Sequence, residues 1–457
     1  MSCVLKELIH NQRLYFNTHI TKGIPFRVQQ LKQLKRALKV NEQLLCDAIY
    51  DDFKKSAFDT YTTELALVYN DIDDALRHLY RWSRKQKVKT NLVNFPAKSY
   101  VIPEPLGVAL IIGAWNYPYL LTLAPMVAAM AAGCTVVMKP SEIPIGTSKA
   151  LKKVFSESFS EEYIAVVEGG IAETTDLLKQ KFDKIFFTGS THVGKIVYKA
   201  AAEHLTPVTL ELGGKSPAFI TKDCNLKMAV KRLIWGKFLN AGQTCVSPDY
   251  VMVHQSIEQR FLELAKTEIE KEQYQIENGN YVQIINERNL ERLSKLIQPD
   301  KVYYGGEVRR DERVVGPTIL HNVKFTDPVM QEEIFGPILP VITYESLDQA
   351  VSLVNTLPKP LSCYVFTRSR RAKRKILTEL SFGGGGVNEN VLHIANHHLP
   401  FGGVGSSGMG SYHGEAGFRA FSHYKSILEK PNWLELPLKY YPQTNRKLWW
   451  IKQFFKF

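Results

Sequence analysis

The chain has 457 residues, long for a single hydrophobic core, so two or three domains are expected. Its 45% hydrophobic and 23% charged content is ordinary for a soluble globular protein. The net charge of +13 suits anions, but no nucleic-acid recognition motif accompanies it, which excludes a nucleic-acid reader.

The six cysteines (Cys3, Cys46, Cys134, Cys224, Cys245 and Cys363) lie far apart, with no C-x-x-C pair. That spacing argues against a disulfide framework or a Cys-rich zinc site, and no metal site is expected. It points to a reducing, cytoplasmic compartment. Met1-Ser2-Cys3-Val4-Leu5-Lys6-Glu7 has no apolar core of a signal peptide.

Residues 1 to about 90 carry apolar positions at helical spacing, such as Leu31, Leu34 and Leu38, then Leu44, Leu45 and Ile49. Arg77, Arg81, Arg84, Lys85, Lys87 and Lys89 follow and read as a solvated basic face, with an anion-attracting patch as the alternative. From Tyr100 the texture changes to short apolar runs at 108–112, 135–138, 164–167 and 184–187, separated by helix-like pieces. Such alternation marks a parallel sheet covered on both faces. Residues 119–138 are as long as a membrane span, but Pro125, Gly133 and the β-type run at 135–138 favour a buried helix followed by a buried strand.

A second α/β region is expected to open at residues 207–211 and to run through 217–220, 250–253 and 363–366 to about residue 400. The remainder is rich in Gly and aromatics, with Pro431, Pro437 and Pro442 opposing long helices. In the last twelve residues Leu448, Ile451 and Phe455 share a helical face, with Lys452 and Lys456 on another. This aromatic and basic tail, which ends at Phe457, reads as an interfacial membrane anchor or as a cover over a substrate entrance or partner subunit.

A thiol motif and six further short motifs carry chemistry. Ala241-Gly242-Gln243-Thr244-Cys245-Val246-Ser247 places a thiol after a Gly-Gln turn, as nucleophile or as small core residue. Phe187-Thr188-Gly189-Ser190-Thr191-His192-Val193-Gly194 follows a strand and opens a helix, a phosphate-binding turn or a purely structural one. Lys139-Pro140-Ser141-Glu142 ends another strand; a carboxylate there can accept both ribose hydroxyls and would repel a 2′-phosphate, favouring NAD over NADP. Asn116, in Trp115-Asn116-Tyr117-Pro118, is an oxyanion donor or a turn former. Glu211, between Leu210 and Leu212, suits a general base of raised pKa, unless Lys215 pairs with it. Glu332-Glu333-Ile334-Phe335-Gly336-Pro337 sets an acidic pair before a rigid turn, and Leu399-Pro400-Phe401-Gly402-Gly403-Val404-Gly405 offers a pocket wall.

In this order the six resemble the aldehyde dehydrogenase superfamily, from about Leu31 to Ser426. The wording around Asn116, Cys245 and Phe401 is similar to its class 3, fatty-aldehyde-type branch. The resemblance implies NAD(P)-dependent, hydrolytic oxidation of aldehydes to carboxylic acids, medium- to long-chain aliphatic or aromatic ones. Cys245 would form a thiohemiacetal and then a thioester, Asn116 and the Cys245 backbone N–H would hold the oxyanion, and Glu211 would activate water. Lys139 and Glu142 would hold the adenosine ribose, Gly189, Ser190 and Gly194 the pyrophosphate turn, and Glu333 the nicotinamide ribose, with Phe335 counted beside it. NAD is the expected cofactor, with NADP a second candidate.

The implied fold is a Rossmann-like cofactor domain (1–208, with about 80–103 in a bridging arm) and an α/β catalytic domain (209–400). Residues 401–457 would form a substrate-side loop, an oligomerisation arm and the tail, in a homodimer. A CoA-acylating relative is disfavoured by Glu211, and a silent NAD-binding descendant by Cys245, Glu211 and Asn116 together.

Overall fold

The computed structural model describes residues 2–455; Lys456 and Phe457 of the tail lie outside them. The chain opens with helices Ser2–Asn17, Ile24–Val40, Glu42–Phe53 and Ala66–Ser83. Leu31, Leu34, Leu38, Leu45 and Ile49 face inward and are completely buried, as their spacing predicts. Two strands follow, β1 (Gln86–Val88) and β2 (Lys98–Pro105).

Next come β3 (Val108–Ile112), β4 (Thr135–Lys139), β5 (Ile164–Val166), β6 (Lys184–Thr188) and β7 (Val208–Glu211). They pair in the parallel order β7-β6-β3-β4-β5. Strand order therefore reverses between β3 and β6, and ligands bind at such a switch point outside the carboxyl ends of the strands. Between β3 and β4, helix Pro118–Ala132 is buried and stopped by Gly133 at φ 99°. Residues 119–138 are thus a buried helix and strand, and among the described residues no helix is long and apolar enough to cross a membrane.

The second sheet uses β8 (Pro217–Ile220), β9 (Tyr250–His254) and β10 (Val302–Tyr304). After a hairpin of β11 (Val308–Arg309) and β12 (Val314–Val315), it adds β13 (Thr318–Leu320), β14 (Ile338–Tyr344), β15 (Ser362–Phe366) and β16 (Gly384–Val387). Its order is β10-β13-β14-β9-β8-β15-β16, parallel except for β10. The chain then returns to the first sheet as β17 (Gly408–Met409), antiparallel to β7. Finally β18 (Ser422–Glu429) pairs along its whole length with β2, giving the small sheet β1-β2-β18.

One boundary differs from expectation. The run at 207–211 belongs to the first sheet, where Thr188 pairs with Glu211, so a division at 208/209 cuts through β7. Alternation fixes that a segment is a strand but not which sheet it joins. The basic segment is a solvated face: Arg81 pairs with Glu415 at 3.6 Å and Lys85 with Glu429 at 3.8 Å.

The helical layer is tied to the first sheet by a remote cap. Helix Ile145–Ser158 has no side-chain cap of its own. Asp52 supplies it, accepting from Gly146 N at 2.9 Å, Thr147 N at 2.8 Å and Thr147 Oγ1 at 2.6 Å. Asp52→Ala is expected to lower stability by about 1–2 kcal/mol, read from the urea unfolding midpoint; an unchanged midpoint would show that the helix does not depend on this carboxylate.

Candidate active site

Four loops converge at the carboxyl ends of the first sheet: those after β3, β4, β6 and β7. β7 delivers Glu211, which is 3% exposed and has no hydrogen-bond partner for either carboxylate oxygen. Burial holds its pKa well above the usual carboxylate range. Lys215 does not pair with it. Instead Lys215 Nζ binds Asp249 and donates to the carbonyls of Val329 and Glu332, both at 2.9 Å. Asp249 accepts in turn from Ile334 N at 2.9 Å, so the pair fastens the acidic turn at 332–337 beneath β7.

Cys245 reaches the site on a strained loop. After helix Leu226–Phe238, Asn240, Ala241 and Gly242 all take left-handed conformations, at φ 55°, 52° and 69°. Such values are costly for Asn and Ala. Gly242 has no alternative, because a Cβ there would lie 2.3 Å from Gly336 O. Gln243 secures the bend from inside. Its Nε2 donates to Asn240 O at 3.2 Å and Gln283 O at 3.1 Å, while its Oε1 accepts from Ile285 N at 3.0 Å.

The β3 loop is sewn to the same bend. Asn116 Nδ2 donates to Gln243 O at 3.0 Å, and Asn240 Nδ2 donates back to Asn116 O at 3.1 Å. One of the two Asn116 N–H bonds is engaged in this way, leaving the other as a donor.

Cys245 is half-buried, and its thiol is pushed up to about 12, first by burial and then by Glu333 and Glu211. The backbone N–H groups of Cys245 and Val246 pull the other way. Glu333 is raised to about 8 by burial and by Asp249, against Gly214 N–H, Lys215 and Arg292. Its carboxyl lies so close to Gly213 that a Cβ there would be 1.8 Å from Glu333 Oε2. Phe335, at φ 47°, meets the Trp115 ring edge-on at 5.3 Å. The structure therefore brings Cys245, Glu211, Asn116 and Glu333 together.

The expected cofactor residues flank this centre. Lys139 is 1% exposed, and its Nζ donates to Pro140 O at 2.7 Å. Glu142 stands 3.8 Å away and about half exposed. Ser190 caps helix Thr191–Ala202 by accepting from Val193 N at 3.3 Å. The glycines of this turn serve packing: a Cβ on Gly189 would lie 2.6 Å from the Phe187 ring, and one on Gly194 2.7 Å from Leu212.

An under-partnered buried ammonium, a half-exposed carboxylate beside it, a helix N-terminus and exposed Val193 and Ile196 suit a dinucleotide. Gln243 sits inside the Cys245 motif and Asp249 two residues beyond it, yet their structural work is invisible in sequence because the partners that matter, Lys215, Gln283 and Ile285, are 34 or more residues away.

Residues 12–427 match the aldehyde dehydrogenase family model. The chain is 44% identical to the 4,4'-diaponeurosporen-aldehyde dehydrogenase of Staphylococcus aureus, covering 99% of each. It is 43% identical to mouse (Mus musculus) aldehyde dehydrogenase family 3 member A2, covering 97% of this chain and 92% of that one. The dog (Canis lupus familiaris) dimeric NADP-preferring aldehyde dehydrogenase is 42% identical, over 93% and 95%. A substrate-bound Staphylococcus aureus AldH superposes with a TM-score of 0.96 at 43% identity, over 98% of this chain and 99% of that chain. With its two sheets, its converging loops and these relatives, the chain belongs to the aldehyde dehydrogenase family, on its class 3 branch, and is an NAD(P)-dependent aldehyde dehydrogenase.

Proposed function

We propose that Cys245 is the nucleophile, Glu211 the general base and Asn116 an oxyanion donor. The observation that carries this reading is Glu211, a buried carboxyl with neither oxygen bonded, within electrostatic reach of the one thiol on the strained loop. Cys245 loses its proton to solvent, its Sγ forms a bond to the aldehyde carbon, and the C=O π pair moves onto oxygen. Asn116 Nδ2 and the Cys245 backbone N–H hold the oxyanion. Lys139, Glu142, Gly189, Ser190, Gly194, Glu333 and Phe335 would hold the nicotinamide cofactor, which supplies the hydride acceptor when bound. Loss of the carbon's hydride to that acceptor lets the oxyanion pair re-form C=O, which gives the Cys245 thioester. Ionised Glu211 then takes a proton from water as the water oxygen adds to the thioester carbon. The C–S bond breaks, the acid leaves, and the sulfur takes that proton from Glu211.

Glu142 favours NAD. Because it is half exposed beside the buried Lys139, it can turn aside and leave an ammonium for a 2′-phosphate, so NADP is accepted more weakly. The substrates are medium- to long-chain or aromatic aldehydes; the Staphylococcus relative is named for 4,4'-diaponeurosporen-aldehyde.

The enzyme acts as a cytoplasmic homodimer, in which the eight-residue β18, unpaired on its outer edge among the described residues, extends a partner's sheet at the β16 edge. The tail helix Asn445–Phe454 rests peripherally on membrane. Trp433, Tyr441, Leu448, Trp449, Trp450 and Phe455 are exposed along this segment, beside Arg446 and Lys452.

Cys245→Ala is expected to abolish turnover, and Glu211→Gln to accumulate acyl-enzyme, visible as an added mass on intact protein; steady turnover in either removes that residue from its role. Both groups must lose a proton, so kcat/KM should climb with pH from 6 to about 9; a flat profile contradicts the pairing. Burial makes Glu211 hold its proton more tightly folded than unfolded. Its contribution to stability is complete below the unfolded pKa and is lost as pH rises toward the folded one. Glu211→Gln should therefore melt above the wild type at alkaline pH.

In a chain-length series, kcat/KM should rise from short to long aldehydes and be higher with NAD than NADP; preference for acetaldehyde would refute the substrate class. Light scattering should give twice the chain mass. Flotation with anionic vesicles should be lost in a variant ending at Gln443; equal flotation of both proteins, or none, would sink the anchor.

A further inference from the structure

Two charged side chains of the helical layer are sealed from solvent and lie outside every role assigned above. Lys55 and Glu64 are 1% and 0% exposed, with Lys55 Nζ 2.6 Å from Glu64 Oε1. The other oxygen of Glu64 accepts from Tyr119 N at 2.8 Å and Leu120 N at 3.1 Å. It thereby closes the amino end of helix Pro118–Ala132, which has no side-chain cap of its own. Glu64 lies in a π-helical turn, Tyr61–Leu65, between helices Ala57–Thr60 and Ala66–Ser83. Such widened turns recur at functional sites.

The Lys55 ammonium also lies 4.2 Å from the centroid of the Tyr117 ring. Tyr117 follows Asn116 and is itself buried. Its hydroxyl is hydrogen-bonded to Thr244 Oγ1 at 2.7 Å, on the residue before Cys245. Tyr117 is thus gripped on its face by a cation and at its tip by the neighbour of the nucleophile. The adjacent Asn116 is bonded to Gln243, one residue further back on the same loop.

Sealing two charges is costly, and apolar residues of equal volume commonly serve stability as well or better. A desolvated cation against an aromatic face is, by contrast, a directional contact. Filling this space does not require Lys55, whereas fixing the plane and reach of Tyr117 does.

We propose that Lys55, held by Glu64, is a positioning residue for aldehyde oxidation: through Tyr117 and Thr244 it sets the Cys245 thiol relative to the Asn116 amide. The proposal rests on the assignment of Cys245 and Asn116 made above. Errors of about an ångström between reacting groups cost on the order of 100-fold in rate, so a device that fixes this spacing acts on kcat rather than on binding.

Two variants test it. Tyr117→Phe keeps the ring under the ammonium and deletes only the hydroxyl. Lys55→Met with Glu64→Met removes both charges together, leaving no lone buried ion. The readouts are kcat, KM for NAD and aldehyde, and the rate at which iodoacetamide alkylates Cys245, followed by mass on the peptide that carries it. Both variants are expected to lose about tenfold or more in kcat and to alkylate correspondingly slowly, with KM for NAD unchanged and the double variant still cooperatively folded. Wild-type kcat and alkylation in Tyr117→Phe, or in the folded double variant, would overturn the proposal; if the double variant does not fold, Tyr117→Phe decides alone. Turnover by Cys245→Ala would remove the underlying assignment and the proposal with it. An inactive Cys245→Ala beside an unimpaired Tyr117→Phe would fell the positioning role alone.

Discussion

Desolvation of acidic groups is the constraint around which this site is built. Cys245, Glu211 and Glu333 each have their pKa raised, burial is the leading cause in all three, and both carboxyls press on the thiol. Three acids crowded together resist ionising at the same time, and burial favours the neutral form of each. Water or positive charge brought into that space stabilises the ionised form of all three at once.

Holding such a centre together requires a scaffold that is itself electrically satisfied. The Lys215–Asp249 pair spends its ammonium on two backbone carbonyls and its carboxylate on Ile334 N, so no charge is left over to neutralise Glu211. The left-handed run at Asn240, Ala241 and Gly242 stores strain that Gln243 offsets with three hydrogen bonds. Because those bonds reach Gln283 and Ile285, the segment after helix Glu258–Glu272 becomes a buttress for the nucleophile's loop, although it carries no chemistry.

Much of this was legible in the sequence, for identifiable reasons. Apolar runs such as 108–112 and 184–187 are buried on both faces, and only a covered parallel sheet needs that. Motifs directly after those runs fall at the carboxyl ends of strands, so Asn116, Lys139 and Ser190 are placed near one another by the sequence alone. Sheet membership was not legible: 207–211 has the same alternation as its neighbours, and only pairing with Phe186 and Thr188 assigns it to the first sheet. Nor were the long-range partners. Glu64 and Asp52 look like ordinary helical charges, yet the backbone groups they cap lie 55 to 95 residues further on. Gly189 and Gly194 carry the right letters for a reason of their own, since Phe187 and Leu212 occupy the space that their side chains would need.

Buried polar groups in this molecule divide by how completely they are partnered. Glu64 accepts from an ammonium and two backbone N–H groups, Lys55 has a carboxylate and a ring, and Gln243 uses both ends of its amide. Glu211 has nothing on either oxygen, and Lys139 has one carbonyl with its carboxylate held off at 3.8 Å. A buried group left short of partners costs free energy that folding alone would remove by substitution. Its persistence at the ends of β4 and β7 follows if water and cofactor complete it during turnover. Among these groups the saturated ones form the frame, and Glu211 and Lys139 mark the places where ligands belong. By that criterion Lys55 falls on the side of the frame, buried near the nucleophile but holding a ring rather than a substrate.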